Sequence, residues 1–322
     1  MSTPLLEDLD LAQATNGLVG GGMEGPHAFI RGLNADHDRH LHVSRLLRTL
    51  PSGDDFRRRT RMDGHDIWVL LERLPWDSAF FARGMARLEA CLRPGVLRGH
   101  RDDTGPEAAA LSEVLGEARC AGIDYVFCQV APSDLPMMRI LAANGFELIE
   151  TRCHYHRALQ HPPAERYATR LATAEDIPSL ARAAREMVNT FDRFHADVSI
   201  PSMHADLLME RWVEASITGG FADATIVPDQ PQPEAFCTAK YHREHWDGWG
   251  IRLAQPVLSA VSPRHRGWYF KIISELDEHL RTIGATHSFL VTQLTNNAVI
   301  RAWEKLGYQF GKGEHVFRKV LA

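Results

Sequence analysis

The feature that most constrains this chain is an internal duplication. Residues 122–157 align without a gap on residues 284–319, at an offset of 162 positions. Gly145 then lies over Gly307, and apolar residues recur at matching positions in both copies. Each copy has the pattern of an apolar strand, a polar turn, an amphipathic helix closed by glycine and a second strand. Because a whole structural unit is repeated, we predict two domains of the same fold.

Length and composition agree with this organisation. A chain of 322 residues is about twice the usual domain length of roughly 150 residues. An apolar content of 44% and a net charge of −5 are ordinary for a globular protein and argue against a general nucleic-acid binder. The first residues do not resemble a secretory leader, and no apolar run approaches the ~18 residues of a membrane span. Five cysteines without a CxxC pair are typical of buried thiols in a reducing compartment, so we expect a cytoplasmic protein.

Three segments follow from the pattern along the chain. Residues 1–60 are rich in Gly, His and Arg and match neither copy, so we expect an N-terminal extension there. The first domain is predicted over residues 61–161 and the second over 165–322, with the Pro162-Pro163 pair in the linker. The second domain has the pattern of a strand, two helices, three or four antiparallel strands, a helix, a strand, a helix and a strand. This order predicts an α/β fold with a mixed sheet.

That order, with the residues in it, resembles the GNAT superfamily of acyl-CoA-dependent N-acyltransferases. The greater similarity is to the TDP-fucosamine acetyltransferases, which acetylate the amine of a nucleotide-linked amino-deoxy sugar. The similarity is carried by LPWDSAFF (74–81), FDRFHADVSIP (191–201), LLMERWVEASITGGFADA (207–224), VSPRHRG (261–267) and TQLTNNAVIRAWEKLGY (292–308).

The resemblance implies tandem GNAT-like domains, of which the first is truncated and degenerate and the second is catalytic. It implies acetyl-CoA, or another acyl-CoA, as co-substrate, a small-molecule amine as acceptor, and no metal. A homodimer is expected, and neither nucleic acid nor a membrane is expected as a partner. In the first domain, Leu141 matches Trp303 of the second copy, and no Arg-x-x-Gly loop is present. We therefore expect the first domain to be a scaffold.

The resemblance also assigns cofactor-binding residues. It places the pantetheine arm along a strand that ends at Ala260 and Val261, and the pyrophosphate at the turn that opens the following helix. Backbone N–H groups and the helix dipole favour an anion at such a turn. It places Asn296 near the thioester, although Asn at this position is equally typical of a helix N-cap. The assigned turn residues are Arg266, Gly267, Trp268, Tyr269 and Lys271.

Three of these positions depart from the family pattern. Small residues are expected where Tyr269 and Lys271 stand, so the loop either binds the cofactor with unusual residues or is a helix start with an aromatic side chain packed on the core. Trp303 occupies the position of a tyrosine that protonates the departing thiolate. An indole N–H donates a hydrogen bond but delivers no proton. Because a thiol has a pKa near ~8.5, the leaving group can depart as the thiolate without an acid.

For the acceptor side, the resemblance points to the turn of Arg193, Phe194 and His195, and to Gln293. His195 has a suitable pKa for a general base, acting directly or through water. The alternative is a histidine that bonds backbone within the turn. Arg193 binds a substrate phosphate or pairs with Asp197.

Three functions remain open from the sequence. The first is acetyl-CoA-dependent N-acetylation of a nucleotide-linked amino-deoxy sugar. The second is N-acylation of another small amine, such as an antibiotic, a polyamine or an amino acid. The third is a non-catalytic, degenerate GNAT pair that binds a metabolite or a protein partner, and the departures at Tyr269, Lys271 and Trp303 favour it.

Overall fold

The computed structural model describes residues 11–48, 56–97, 103–187 and 189–321. It divides into two compact units. Unit 1 contains residues up to 28, residues 35–151 and residues 313–322, whereas unit 2 contains residues 29–34 and 152–312. Residues 1–10 and 49–55 of the predicted extension lie outside the described residues.

Among the described residues of unit 1, the strands lie in the order β1-β2-β3-β4-β11, and β3 runs parallel to β4. Its elements are α1 (Leu11–Gly20), α2 (Ala35–Arg48), β1 (Phe56–Met62), β2 (His65–Arg73), α3 (Pro75–Phe81), β3 (Met85–Leu92), α4 (Gly105–Cys120), β4 (Tyr125–Val130), α5 (Leu135–Ala143), the start of β5 (Glu147–Ala158) and the end of β11 (Gln309–Val320).

Most of the described part of the predicted extension belongs to unit 1, whereas residues 29–34 belong to unit 2. Strand β2 is buried on both faces, as its continuous apolar run requires. Ile67 and Val69 pack on one face with α4, whereas Trp68 and Leu70 pack on the other face with α1 and α2. Residues 11–48 are therefore not a separate appendage, because removing them would expose that second face.

Unit 2 has six strands in the order β5-β10-β9-β8-β7-β6, and β9 runs parallel to β10. Its elements are the end of β5, β6 (Thr169–Leu171), α6 (Ile177–Glu186), α7 (Ser202–Thr218), β7 (Ala224–Pro228), β8 (Ala235–Lys240), α8 (Trp246–Trp249), β9 (Leu253–Val261), α9 (Trp268–Thr282), β10 (His287–Gln293), α10 (Asn297–Lys305) and the start of β11. The predicted element order is observed with three antiparallel strands between α7 and α9, but the short helix α8 between β8 and β9 was not predicted.

The duplication is visible element by element. Helix α5 and strand β5, shifted by 162 positions, have the same bounds as α10 and β11. Gly145 and Gly307 both have positive φ, at +69° and +85°, so each is needed where a helix ends and the chain reverses. Because the alignment holds at the ends of helices and strands, the two copies are the same structural unit.

The two copies exchange their last strands. Residues 152–158 of β5 pair antiparallel with β10 in unit 2, and residues 315–320 of β11 pair antiparallel with β4 in unit 1. The compact units are therefore built from discontinuous segments and do not coincide with the predicted ranges 61–161 and 165–322. Within the described ranges, no helix has the length and apolarity that crossing a bilayer requires.

Candidate functional site

Strands β9 and β10 of unit 2 separate soon after they begin. Their parallel ladder joins Leu253–Ala254 to His287–Ser288 and has no further pair among the described residues. The opposite edge of β9 stays paired with β8 as far as Val261, which faces Ala235. One backbone edge of β9 is thus left without a strand partner, beside a gap that opens towards the carboxyl ends of both strands.

Ala260 and Val261 lie at the open end of β9, as the assigned pantetheine strand requires. Ala260 is 3% exposed and packs against the core of unit 2. The backbone N–H of Val261 donates to the thioether sulfur of Met187 at 3.2 Å. A thioether is a weak acceptor, so a carbonyl oxygen of a ligand would be a better partner for this N–H group.

The turn after β9 is held by a carboxylate that sequence reasoning missed. Glu234 accepts a hydrogen bond from Ser262 Oγ at 2.8 Å and pairs with Arg264 at 3.1 Å and with Arg182 at 3.2 Å. The hydrogen bond from Ser262 and the two guanidinium groups lower the pKa of Glu234. Because its partners come from α6 and from the turn itself, this cluster depends on tertiary contacts and has no signature in the sequence.

Arg266 and Gly267 form the open part of the turn. Gly267 has φ +92°, a conformation that favours glycine, and α9 begins directly after it at Trp268. No side chain caps this helix, and no acidic residue lies in its first turn. Arg266 is exposed and has no ion pair within the described part of the chain. These free N–H groups and the unpaired guanidinium can accept an anion.

Tyr269 and Trp303, the two bulky departures, contact each other. The indole Nε1–H of Trp303 donates to the hydroxyl oxygen of Tyr269 at 2.9 Å. Trp303 is 2% exposed, and burial raises the pKa of the Tyr269 phenol. The bond joins the first turn of α9 to α10, so the Tyr269 side chain points into unit 2 rather than towards solvent.

Lys271 does not face the turn. Its Nζ lies 5.0 Å from the centroid of the Tyr167 ring and 5.3 Å from that of Trp268. The ammonium group therefore packs on two aromatic faces, where cation–π attraction holds it. Its predicted contact with a phosphate requires it to leave both rings.

Gln293 is the last residue of β10, at its open end, and Asn296 follows it in the turn before α10. Asn296 occupies the N-cap position of α10 without forming the side-chain cap bond. Its Nδ2 donates instead to Thr292 Oγ1 at 3.2 Å. Gln293 Oε1 accepts from the side-chain amide of Asn189. The amide carbonyl of Asn296 therefore has no partner among the described residues and is available to a ligand.

His195 does not have the geometry of a general base. Its Nδ1 lies 2.6 Å from Asp192 Oδ2, and its Nε2 lies 3.2 Å from Asp206 Oδ1. The hydrogen bond to Asp192 raises the pKa of His195, which favours the imidazolium. With its side chain 5% exposed and both ring nitrogens engaged, His195 offers no lone pair to an ammonium substrate. The structure instead ties this turn to α7 through His195, which corrects the predicted role.

The neighbouring residues of the turn have packing roles. Phe194 is 6% exposed, so it lies in the core and not on a substrate-facing surface. The guanidinium carbon of Arg193 lies 4.3 Å from the centroid of the Phe194 ring. The predicted contact of Phe194 with a substrate is therefore not supported.

Comparison with known proteins locates the fold. No family model matches this sequence, and no curated protein matches it. Among solved structures, the chain is similar to a GCN5-related N-acetyltransferase from Sphaerobacter thermophilus, with a TM-score of 0.59 and 13% identity over 99% of this chain and 94% of that one. The chain has the fold of the GCN5-related N-acetyltransferases.

Two further structures agree. A GCN5-related glucosamine N-acetyltransferase region of a fungal multi-domain β-N-acetylglucosaminidase has a TM-score of 0.62 and 14% identity, covering 99% of this chain and 38% of that one. A GCN5-related N-acetyltransferase from Kribbella flavida has a TM-score of 0.50 and 12% identity, covering 88% of this chain and 95% of that one. The predicted fold class of tandem GNAT-like α/β domains is confirmed.

Proposed function

We propose that unit 2 binds an acyl-CoA in the gap between β9 and β10 and transfers its acyl group to the amine of a small molecule. The observation that carries this proposal is the two-pair ladder between these strands, which leaves an unpaired backbone edge beside the uncapped start of α9. The edge of β9 would bond the pantetheine amides, and the α9 N–H groups with Arg266 would bind the pyrophosphate.

The chemistry asks little of the protein beyond binding and orientation. An amine attacks the thioester carbonyl, a C–N bond forms, the C–S bond breaks, and the amine loses a proton. Backbone N–H groups of β9 stabilise charge on the carbonyl oxygen, and the carbonyl of Asn296 orients the pantetheine arm. With His195 engaged by two carboxylates, the proton passes to solvent. CoA leaves as the thiolate, because the pKa of a thiol is about 8.5.

A nucleotide-linked amino-deoxy sugar is the acceptor that we propose first. The stretches Phe191–Pro201 and Leu207–Ala224 carry the resemblance to enzymes of that substrate class. The fungal region with the same fold is a glucosamine N-acetyltransferase, which also uses an amino sugar. Antibiotics, polyamines and amino acids remain the rival acceptors, since the fold itself does not select the amine.

A second function is favoured by a specific contact. Tyr269 stands where the family has a small residue, and its hydroxyl is bonded to buried Trp303. If this side chain fills the pantetheine channel, the chain is a non-catalytic binding protein. The two functions differ in whether the wild-type protein binds an acyl-CoA.

The test is a calorimetric titration of the full chain with acetyl-CoA and with CoA. We expect one site per chain with micromolar affinity, weakened about tenfold in Asn296→Ala through loss of one hydrogen bond. Asp134→Ala, the matching change in unit 1, is the control and should leave this affinity unchanged. Binding by Tyr269→Gly alone, with none by the wild type, would favour the non-catalytic function. The absence of binding in both proteins would refute the acyltransferase proposal.

The acceptor is tested once binding is established. The full chain and acetyl-CoA are incubated with a TDP-linked 4-amino-4,6-dideoxy sugar, glucosamine, spermidine and an amino acid, and free thiol is measured. Faster release with the nucleotide sugar supports the first acceptor. Faster release with any other amine replaces it while leaving the transferase proposal intact.

A further inference from the structure

A cavity of about 340 Å³ lies along the polar side of α9 in unit 2. Helix α9 contributes Phe270, Ser274 and Asp277 to its wall, and the carboxyl end of α10 contributes Lys305. None of its lining residues belongs to the open ends of β9 and β10 or to the turn that precedes α9. The cavity is therefore separate from the proposed acyl-CoA site.

One wall of the cavity is the linker segment 161–167, which is fixed to α9. Arg166 forms bonds from Nε and Nη2 to the Glu275 carboxylate, at 3.1 Å and 2.9 Å. The backbone N–H of Tyr167 donates to the same carboxylate at 2.6 Å. Because the side chain of Glu275 is 2% exposed, these bonds hold the linker in one position. The cavity is thus formed before any ligand arrives.

The wall contains three acidic side chains, and each has a hydrogen-bond partner. Glu165 accepts from the Tyr167 hydroxyl at 2.7 Å. Asp277 accepts from Arg157 Nη1 at 3.0 Å and from the Tyr308 hydroxyl at 2.5 Å. Glu278 accepts from Arg281 Nε at 2.7 Å and from its Nη2 at 2.8 Å. These carboxylate oxygens therefore have little need of a cationic ligand.

Several hydrogen-bond donors in the cavity wall are not bonded to any described residue. Arg157 has five N–H groups, of which one is bonded to Asp277, and its side chain is 22% exposed. The Lys305 ammonium is exposed and has no ion pair within the described ranges. Ser274 is 4% exposed, and its hydroxyl has no hydrogen-bond partner among the described residues. A hydroxyl in the cavity wall without a protein partner can donate to an acceptor in the cavity.

We infer that this cavity binds a small organic monocarboxylate. Arg157, Lys305 and Ser274 would bond the carboxylate, since leftover donors are satisfied by an acceptor with negative charge. Leu159, Phe270 and Leu306 would contact an apolar body. A dianionic phosphate fits less well, because the Asp277 and Glu278 carboxylates stand in the same wall. The volume lies at the small end of the range of roughly 300–1,000 Å³ for ligand sites.

The test uses hexanoate as the probe and the full chain, followed by calorimetry and ligand-observed NMR. Hexylamine and inorganic phosphate are the charge controls. The variants are Lys305→Gln, which removes one cation from an exposed position, and Ser274→Ala, which removes the hydroxyl. Arg301→Gln, one turn earlier on α10 and outside the cavity, is the matched control.

We expect hexanoate to bind at one site with a millimolar or tighter Kd, and Lys305→Gln to weaken it about tenfold. Ser274→Ala should weaken it by a smaller factor, and Arg301→Gln should not change it. Tighter binding of hexylamine or phosphate would overturn the inference. So would the absence of hexanoate binding at about 10 mM, or equal binding by the wild type, Lys305→Gln and Ser274→Ala.

Discussion

Helix α4 follows strand β3 of unit 1, and helix α9 follows strand β9 of unit 2. The two helices end at matching positions, 162 residues apart, but their first turns differ in charge. The same offset places Glu107 over Tyr269. Glu107 is fully buried, and its carboxylate pairs with Arg93 at 2.8 Å. Unit 1 therefore has its own anion in the first turn of the helix, whereas α9 has no acidic residue there. A bound anion would compete with Glu107 in unit 1 but with no carboxylate in the first turn of α9.

The N-caps of the following helices, α5 in unit 1 and α10 in unit 2, differ in a similar way. Asp134 accepts a hydrogen bond from the backbone N–H of Met137 at 3.1 Å and so caps α5. Asn296, at the matching position, does not cap α10 and turns towards Thr292. The parallel ladder of unit 1 is also longer, with four pairs between β3 and β4. At these positions unit 1 satisfies the helix ends with its own carboxylates, whereas unit 2 has no carboxylate in the first turn of α9 and no side-chain cap on α10.

The largest expected effect is on the stability of unit 1. Arg93→Ala would break the ion pair of the fully buried Glu107 carboxylate, which costs about 3–5 kcal/mol of the free energy of unfolding. Urea denaturation measures this loss. The double variant Arg93→Met, Glu107→Leu should recover most of it, since both charges are then gone. A loss below about 1 kcal/mol in Arg93→Ala would contradict the importance of this ion pair for the first turn of α4 in unit 1.

The next effect concerns pH. Asp277 lies 162 positions after Leu115 of unit 1, and burial raises the pKa of Asp277 from 3.8 to about 6 despite the Arg157 guanidinium. Because the folded carboxyl holds its proton more tightly, its stabilising contribution is full below pH 3.8 and is lost as the pH rises through about 6. The loss is on the order of 3 kcal/mol. In Asp277→Asn this part of the pH dependence should disappear. The free energy of unfolding of the wild type and of Asp277→Asn is measured as a function of pH. If the two curves run parallel, Asp277 does not titrate in this way.

The smallest effect compares the two caps directly. Asp134→Ala removes a cap bond and should lower the free energy of unfolding by about 1 kcal/mol. Asn296→Ala removes no cap bond and should change it by only a few tenths of a kcal/mol. Thermal and urea denaturation of both variants measure the difference. Equal losses would mean that Asn296 caps its helix after all.

The sequence predicted the parts of the fold that local signals determine. The glycines at 145 and 307, with the polar residue that opens each helix, placed helices α5 and α10 within both copies. The burial of β2 on two faces was not predicted, although Ile67, Trp68, Val69 and Leu70 form the unbroken apolar run that is typical of it. That run required a layer on its second face, and residues 11–48 supply it.

The strand exchange could not be predicted in the same way. Because β5 and β11 occupy matching positions in the two copies, the sequence pattern alone does not show which of them pairs with β4 and which with β10. The site shows the same limit. Asn296 and Tyr269 were assigned to the site from their positions alone, and that assignment stays a prediction. The contacts of His195 and Glu234 involve carboxylates and guanidinium groups that are distant along the chain.

The exchanged strands have a consequence for how the chain is made. On the ribosome, β4 is complete early, yet its partner on that edge is residues 315–320 near the end of the sequence. The sheet of unit 1 must therefore stay unfinished while nearly two hundred further residues are synthesised, with a bare strand edge that can recruit other chains.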